Sequence, residues 1–260
     1  MSATVTGLAL APVKGMRLVA AERLELGATG ARGDRAFCVV DEQSALLLTT
    51  RTPRLLQILP DWDGSTLTLR FPDGSLVSEQ PAYGARTTTA NYAGRPIAGR
   101  LVRGALAEAV SRHLGRSVAL LARNDGERLA DDAPVTLMSG ASLTALAPAL
   151  GGAVPDARRF RMTIAIGGVA AWEEHGWGGR EIEAGGALLR GLEPVPRCAV
   201  TTRDPEGGAT DAPVLAALAA LRGKRDVRFG LWCEVLRPGR VALGDPVRPL
   251  GRVTVATRPP

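Results

Sequence analysis

The chain has 260 residues, with 32 Lys and Arg against 26 Asp and Glu, which gives a net charge of +6 and a pI near 10.0. Its 45% of apolar and 22% of charged residues are typical of a globular protein and exclude a disordered or collagen-like chain. The length fits one large domain or two small ones. No apolar run approaches the roughly 18 residues that span a bilayer, and no basic segment leads into an apolar one at the start. We therefore expect neither a transmembrane helix nor a signal peptide.

The cysteines indicate the compartment. Cys38, Cys198 and Cys233 are odd in number and far apart in the sequence. This pattern disfavours a disulfide scaffold and favours a reducing environment. We expect a cytoplasmic protein.

The basic charge is consistent with nucleic acid, a membrane surface or an anionic small ligand as partner. Single-stranded nucleic acid is bound largely by stacking on aromatic rings, and Phe, Tyr and Trp total only ten here. Of the 32 cations only Lys14 and Lys224 are lysines, which indicates a coding bias toward arginine. We therefore expect no nucleic-acid or membrane partner, although Lys14 is notable because it stands within an apolar segment.

In chain order, short apolar runs predict strands over residues 5–10, 18–26, 37–40, 46–49, 55–59, 66–71 and 75–77. Asp-Gly pairs at 63–64 and 73–74 predict hairpin turns. A helix is predicted over 105–114, closed by Gly115, and a second begins near Ala141 with leucines 143, 146 and 150 on one face. Asp211 is predicted to cap a third helix that runs to Gly223. Further strands are predicted over 162–166, 187–192, 199–202, 229–236 and 240–247.

This pattern predicts a mainly β fold with a few helices (β/α+β), arranged as a sandwich or barrel. Residues 87–96 have the least defined secondary-structure pattern, so we place a domain boundary between 1–95 and 96–260.

Most standard catalytic signatures are absent. The sequence has no phosphate-binding glycine loop, no Rossmann glycine spacing and no Gly-x-Ser-x-Gly elbow. His113 is predicted on a helix as a surface or packing residue. His175, in Trp-Glu-Glu-His at 172–175, could form a carboxylate–imidazole metal pair, although a loop cluster is the favoured interpretation. The adjacent carboxylates Asp131 and Asp132 fit a turn or cap better than an acid–base pair.

The three cysteines differ in their surroundings. Cys38 and Cys233 lie in apolar strand runs, where inert buried thiols are expected. Cys198 follows a proline-led bend and stands beside Arg197, which favours the thiolate. A thiolate is a soft ligand that suits a soft or high-valent metal, but the residues alone leave a structural cysteine equally open.

Several motifs, in order, resemble those of the molybdenum cofactor sulfurase C-terminal (MOSC) superfamily. The most specific is Pro-Arg-Cys at 196–198, followed by Thr-Thr-Arg-Asp-Pro-Glu-Gly-Gly at 201–208. Ala-Pro-Val-Lys-Gly at 11–15 and Gly-Asp-Arg-Ala-Phe at 33–37 resemble the N-terminal β-barrel segment that precedes the MOSC domain. Residues 133–143 resemble the strand-to-helix junction of the MOSC domain, Arg-Phe-Arg at 159–161 its Phe-Arg segment, and residues 229–230 and 241–245 its closing strands.

The resemblance is to the amidoxime-reducing branch and implies two packed β-barrel domains with a Mo-pyranopterin (molybdenum) cofactor between them. It implies that Cys198 ligates molybdenum as the catalytic residue and that Lys14, Arg35 and Arg161 contact the cofactor. The cofactor contacts implied in addition are Gly15, Ser139, Gly140, Ala141, Ser142 and Arg197. A terminal phosphate is bound well by Arg or Lys together with backbone N–H groups at a helix start, which agrees with these residue types.

The implied activity is the reduction of N-hydroxylated or N-oxide small molecules, with electrons from a separate ferredoxin- or flavin-type protein. Three positions depart from the family pattern: Gly15 replaces a serine, Gly140 an acidic residue, and Met162-Thr163 a Pro-Asn pair. The lost polar groups motivate one alternative, a persulfide sulfur carrier or transferase that uses Cys198 without molybdenum. A non-catalytic cofactor carrier and, ranked last, a basic nucleic-acid binder also stay open.

Overall fold

A computed structural model describes residues 3–90, 94, 96–123, 132–223 and 226–252. Three α-helices lie in these residues: α1 (Ala105–Leu114), α2 (Gly140–Thr144) and α3 (Val214–Arg222). The strands of the first half are β1 (Ala3–Leu10), β2 (Val19–Ala20), β3 (Arg23–Gly27), β4 (Gly30–Ala31), β5 (Phe37–Val40), β6 (Leu59–Trp62), β7 (Leu67–Arg70), β8 (Leu76–Glu79), β9 (Ala82–Ala90), β10 (Pro96–Arg103) and β11 (Ala119–Arg123). Those of the second half are β12 (Val135–Ser139), β13 (Ile164–Gly167), β14 (Arg180–Ala184), β15 (Ala187–Pro196), β16 (Arg228–Arg237), β17 (Gly239–Ala242) and β18 (Pro246–Arg252).

Seven strands close into a barrel. Their order is β13-β12-β16-β15-β14-β18-β1, and β1 pairs again with β13 to complete the ring. Inward-pointing residues alternate along a regular strand, but the register of β1 shifts between Val5 and Gly7. Val5 and Leu8 therefore both point inward, where they pack with Leu137, Ile166 and Leu231. The mainly β fold predicted from the sequence is confirmed, and so is a closed barrel.

The other strands form three smaller sheets. These have the orders β5-β11-β10-β9, β6-β7-β8 and β17-β3-β4. The first two enclose a separate core with α1, in which Phe37, Leu69, Leu106 and Leu120 are buried. The Asp-Gly pairs at 63–64 and 73–74 do connect antiparallel neighbours, β6 to β7 and β7 to β8, as predicted.

The helices match the predictions unequally. α1 has the predicted bounds and ends at Gly115, whose φ of 71° is left-handed. The helix predicted from Ala141 is split into α2 and a 3-10 turn over Ala147–Leu150, where Pro148 has no N–H to continue an α-helix. α3 starts after Pro213, and no side chain caps it.

Three predicted strands are 3-10 turns or loops over all or part of their length. Residues 199–202 form a 3-10 turn directly after Cys198, and Pro53–Gln57 form another where a strand was expected to begin. Residues 46–49 contribute only one isolated bridge, between Val40 and Leu46. Short apolar runs do not distinguish these conformations from a strand, because each buries its residues on one side.

The predicted boundary at 95/96 stays a prediction. β10, which begins at residue 96, pairs with both β9 and β11. β1 and β3, from the first 30 residues, pair with β13, β18 and β17 of the second half. Strand pairing thus crosses that division at several points. Among the described residues no helix has the length and apolar character needed to cross a bilayer.

Candidate active site around Cys198

Cys198 is an exposed thiol at the end of β15. It directly precedes the 3-10 turn over Ala199–Thr202, and its carbonyl accepts hydrogen bonds from the backbone N–H of Thr201 at 3.1 Å and from the Thr201 hydroxyl at 3.0 Å. Thr201 is fully buried. The buried turn therefore fixes the backbone of Cys198 and leaves the thiol accessible.

Arg197 lies beside the thiol with its guanidinium directed into the protein. Its Nη2 donates to the Phe160 carbonyl, its Cζ lies 5.4 Å from the centre of the Phe160 ring, and its Nε is buried without a hydrogen-bond partner among the described residues. Burial lowers the pKa of Arg197 to about 10, and the neighbouring Cys198 thiolate opposes this shift. Arg197 thus supplies a desolvated positive charge next to Cys198.

Lys14 and Gly15 lie in a turn between β1 and β2. The Lys14 N–H donates to the Phe37 carbonyl at 2.7 Å, and the Gly15 carbonyl accepts from the Thr49 hydroxyl at 3.3 Å. Gly15 has a φ of +89°, and a Cβ on it would lie 3.1 Å from the Thr49 oxygen and 3.2 Å from Leu55 Cδ1. A glycine is therefore suited to this position, where the family pattern has serine.

Arg35 adjoins the same turn. Its backbone N–H donates to the Ala11 carbonyl at 2.8 Å, and its φ of 48° is left-handed, which is uncommon for a residue with a side chain. Its guanidinium is paired with Asp34, a buried carboxylate that also accepts the Ala11 N–H at 2.7 Å. Asp34 thus orients Arg35 and holds the strand end next to Lys14.

Arg161 connects this turn to the region of Cys198. Its Nη2 donates to the Met16 carbonyl at 2.8 Å, and its φ of 53° is again left-handed. It directly follows Phe160, whose carbonyl accepts from Arg197. Lys14, Arg35, Arg161 and Arg197, which come from four distant motifs, therefore lie on contacting segments.

Residues 139–142 belong to a different cluster. Ser139 and Ser142 are fully buried; the Ser142 hydroxyl donates to Glu174 at 2.9 Å and accepts from the Trp172 N–H at 2.7 Å. The Ser139 N–H donates to the other Glu174 oxygen at 3.2 Å, and its hydroxyl accepts from the Ala141 N–H at 3.1 Å. The serine hydroxyls predicted to meet the cofactor are thus used internally, and α2, which starts with Gly140 and Ala141, has only five residues.

Glu174 and His175 complete this second cluster. Burial raises the pKa of Glu174, against the lowering effect of its hydrogen bond from Ser142. Burial also lowers the pKa of His175 to about 4, with Arg222 acting in the same direction, and neither ring nitrogen has a hydrogen-bond partner among the described residues. The stacked rings of Phe160 and Phe229, whose centres are 4.0 Å apart, lie between Arg197 and the Trp172 ring of this cluster.

The other two cysteines are fully buried, as predicted. Burial raises the pKa of both Cys38 and Cys233 to about 12. His113 packs on Phe71 and lies 3.1 Å from the Arg54 carbonyl oxygen. Among the described residues, His, Cys, Asp and Glu nowhere gather in a group of three that could hold a metal ion. Asp131 and Lys224 lie outside the described residues.

Comparison with known families agrees with this geometry. Residues 2–117 match the model of the MOSC N-terminal beta barrel domain, and residues 124–248 match that of the MOSC domain. The chain belongs to the MOSC family. The two matches are separated by residues 118–123, which comprise β11 and the residue before it.

Curated relatives of this MOSC protein include mitochondrial amidoxime-reducing components. Component 1 of Homo sapiens is 28% identical over 96% of this chain and 83% of its own length, and component 2 of Homo sapiens is 26% identical over 94% and 82%. A molybdenum cofactor sulfurase of Caenorhabditis elegans is 25% identical over 89% of this chain but only 33% of its own length. The crystal structure of the YUAD protein from Bacillus subtilis covers 95% of this chain and 94% of its own, with a TM-score of 0.47 and 14% identity.

Sequence reasoning missed the partners of these residues. The motifs contain Asp34 and Arg203 but indicate no partner for either, and the stretch at 172–175 indicates Glu174 only as a possible metal ligand. Asp34 could have been found from its position next to Arg35. Glu174 gives no such signal, because Ser142 lies 32 residues away in the sequence.

Proposed function

We propose that this MOSC protein binds a molybdenum–pterin cofactor and reduces N-hydroxylated or N-oxide small molecules. The observation that carries the proposal is the exposed Cys198 thiol beside the desolvated Arg197, with Arg161 and the Lys14–Gly15 turn on adjoining segments. The similarity to amidoxime-reducing components supports the substrate class.

The donor set fits the group. A cysteine thiolate is the soft ligand that a molybdenum centre accepts, and Cys198 is the exposed cysteine of the three. The pterin's phosphate is dianionic and suits guanidinium and ammonium groups. Lys14, Arg35, Arg161 and Arg197 would hold the cofactor, whereas we leave Ser139 and Ser142 out because their hydroxyls have internal partners.

When bound, the cofactor supplies the two-electron chemistry that removes oxygen from nitrogen. The net reaction turns an N–OH group into N–H and releases water, and it consumes two electrons and two protons. Electrons would come from a separate ferredoxin- or flavin-type protein. Cys198 would hold the metal just after the end of β15, and Asp34 and the Met16 carbonyl orient the Arg35 and Arg161 guanidinium groups. The chain's role is therefore orientation and charge compensation.

The test is molybdenum and pterin analysis of protein purified from a molybdenum-replete host. We expect about one metal per wild-type chain and, since the metal loses its protein ligand, at least a tenfold loss of N-reductive activity in Cys198→Ser. Cys233→Ala serves as the control, because it removes a thiol buried in the barrel core. Soluble wild-type protein without metal or pterin, and inactive after reconstitution, would falsify the proposal.

A second candidate is a persulfide carrier. The exposed Cys198 thiol and the partial similarity to a molybdenum cofactor sulfurase favour it. The Cys198 thiolate would attack the outer sulfur of a persulfide donor, forming a new S–S bond as the donor thiolate leaves. Mass spectrometry after sulfur loading distinguishes the two, because this function requires a +32 Da adduct (about the mass of one sulfur atom) on Cys198 without molybdenum. A cofactor carrier would contain the pterin but show no turnover.

A further inference from the structure

The segment that follows Cys198 folds into a tight loop, residues 203–211. Arg203 and Thr210 form an isolated antiparallel bridge, the Asp204 N–H donates to the Ala209 carbonyl at 2.7 Å, and the Gly208 N–H donates to the Asp204 carbonyl at 3.0 Å. The Asp204 carboxylate also accepts the Glu206 N–H at 3.0 Å. The loop is therefore rigid by its own hydrogen bonds.

Cys198 is coupled to this loop by one 3-10 turn. Thr201 donates twice to the Cys198 carbonyl, and the Arg203 N–H donates to the Val200 carbonyl at 3.2 Å. Because Thr201 is fully buried, the turn cannot reorient independently. The turn therefore couples the backbone of Arg203 to that of Cys198.

The Arg203 side chain reaches the first half of the fold. Its Nη2 donates to the Thr50 carbonyl at 2.8 Å, and its Nη1 donates to the Gly208 carbonyl at 3.0 Å. Gln57 adds a hydrogen bond from Nε2 to the Gly207 carbonyl at 3.0 Å, and a Cβ on Gly208 would overlap the Pro53 carbonyl oxygen. The loop is thus pressed against residues 50–57.

The Arg203 backbone is held from the other side. Its carbonyl accepts from Arg159 Nη1 at 2.6 Å, and Arg159 makes two hydrogen bonds of 2.7 Å to the Asp211 carboxylate. Arg159 has only 9% of its side chain exposed. Arg203 is therefore held between Arg159 on one side and the Thr50 carbonyl on the other.

Residues 49 and 50 in turn contact the Lys14–Gly15 turn. The Thr49 hydroxyl donates to the Gly15 carbonyl at 3.3 Å, next to the Thr50 carbonyl that accepts from Arg203. A continuous set of contacts thus runs from Cys198 through Arg203 and Thr50 to Gly15.

We propose that Arg203 is a positioning residue that fixes the Cys198 thiol relative to the Lys14–Gly15 turn. The guanidinium can bridge the two carbonyls at once because its N–H groups form a rigid planar fork. The effect on turnover rests on the proposed function, whereas the effect on the loop does not.

The test is hydrogen exchange of the full-length protein measured by mass spectrometry. In Arg203→Ala we expect amide exchange in residues 199–211 and 48–52 to rise by at least about tenfold, which corresponds to about 1.4 kcal/mol for the lost charged hydrogen bonds. Arg248→Ala is the matched control, because Arg248 is an exposed arginine paired with Glu183 on a distant strand. It should leave both segments unchanged.

The proposal fails if a folded Arg203→Ala protein exchanges these segments at the wild-type rate, or if exchange rises equally throughout the barrel strands. Should Arg203→Ala not fold, two milder variants decide. Gln57→Ala removes one outer hydrogen bond and Arg203→Lys replaces the fork by a single ammonium, so each should raise exchange severalfold in these segments alone. Wild-type rates in both would overturn the proposal.

In molybdenum-loaded protein, Arg203→Ala should lower kcat by at least about tenfold with little change in KM, and Arg203→Lys should restore part of the loss. An unchanged kcat in Arg203→Ala contradicts this effect of positioning on turnover. An equal loss of kcat in a variant whose loop exchanges at the wild-type rate contradicts it as well. If the protein binds no molybdenum, the proposed function fails, but the exchange measurement still tests the positioning of the loop.

Discussion

Gly15 shows how one backbone angle can account for a departure from a family pattern. With a φ of +89° and neighbours 3.1 and 3.2 Å from the place of a Cβ, this position favours glycine on two grounds. The missing serine hydroxyl is therefore a consequence of local geometry in this chain, where Thr49 supplies a hydroxyl to the same turn.

We expect Gly15→Ser to lower the free energy of unfolding by about 1–3 kcal/mol, because a side chain there is strained at positive φ and must displace Thr49 or Leu55. Urea unfolding measures the change. Gly140→Ala is the control: its φ is not in the left-handed range and its Cβ would meet only the Ile166 carbonyl at 3.7 Å, so stability should change by less than about 0.5 kcal/mol. Equal effects of the two variants would contradict the strain at residue 15.

The burial or exposure of a residue was predictable where it depends on neighbours in the sequence. Cys38 and Cys233 sit in apolar runs and are buried, and Cys198 follows a proline and is exposed. The use of Ser142 was not predictable, because its partner Glu174 comes from a 3-10 turn 32 residues later. Distant hydrogen bonds leave no periodic signal in a sequence.

Among the elements, α3 illustrates competition for one side chain. Asp211 was expected to cap this helix, but its carboxylate binds Arg159, and the helix starts after Pro213 without a side-chain cap. A charge-assisted bidentate pair is stronger than a capping hydrogen bond, which explains why Asp211 binds Arg159 and does not cap α3.

A double-mutant cycle distinguishes an ion pair of Asp211 with Arg159 from a helix-capping role of Asp211. Asp211→Ala should cost about 1–3 kcal/mol of unfolding free energy in the wild type, because it leaves the mostly buried Arg159 without a carboxylate. In an Arg159→Leu background the same change should cost less than about 0.5 kcal/mol. If Asp211 acted as a helix cap, its cost would be the same in both backgrounds, and the coupling energy would vanish.

At the scale of the whole molecule, the two halves share their strands. β1 supplies Ala3, Val5 and Leu8 to the barrel core and lies between β13 and β18. The mainly β class was predictable from the spacing of apolar runs and Asp-Gly turns. This pairing of strands between the two halves was not predictable, because pairing partners 156 to 244 residues apart in the sequence cannot be identified from local patterns.

A fragment of residues 118–260 should therefore fail to fold. It lacks β1 and β3, so β13, β18 and β17 lose a neighbour. The barrel core also loses the four large apolar side chains of Val5, Leu8, Leu24 and Leu26, worth about 1.5–3 kcal/mol each against a total stability of about 5–15 kcal/mol. Near-ultraviolet circular dichroism and thermal unfolding are the measurements, and adding a peptide of residues 1–12 should restore part of the signal. A fragment that unfolds cooperatively without the peptide would contradict this role of β1.

The pairing of β1 with a strand near residue 250 delays the folding of β1 during synthesis. β1 leaves the ribosome before the other described strands, yet one of its two barrel neighbours, β18, begins at residue 246. At about 5–20 residues per second, β1 waits roughly 10–50 s for that neighbour. During this interval its apolar side is uncovered and its edge is open to other nascent chains. A chaperone that binds β1 would therefore protect the protein during this interval, and slow decoding near residue 246 would lengthen the exposure.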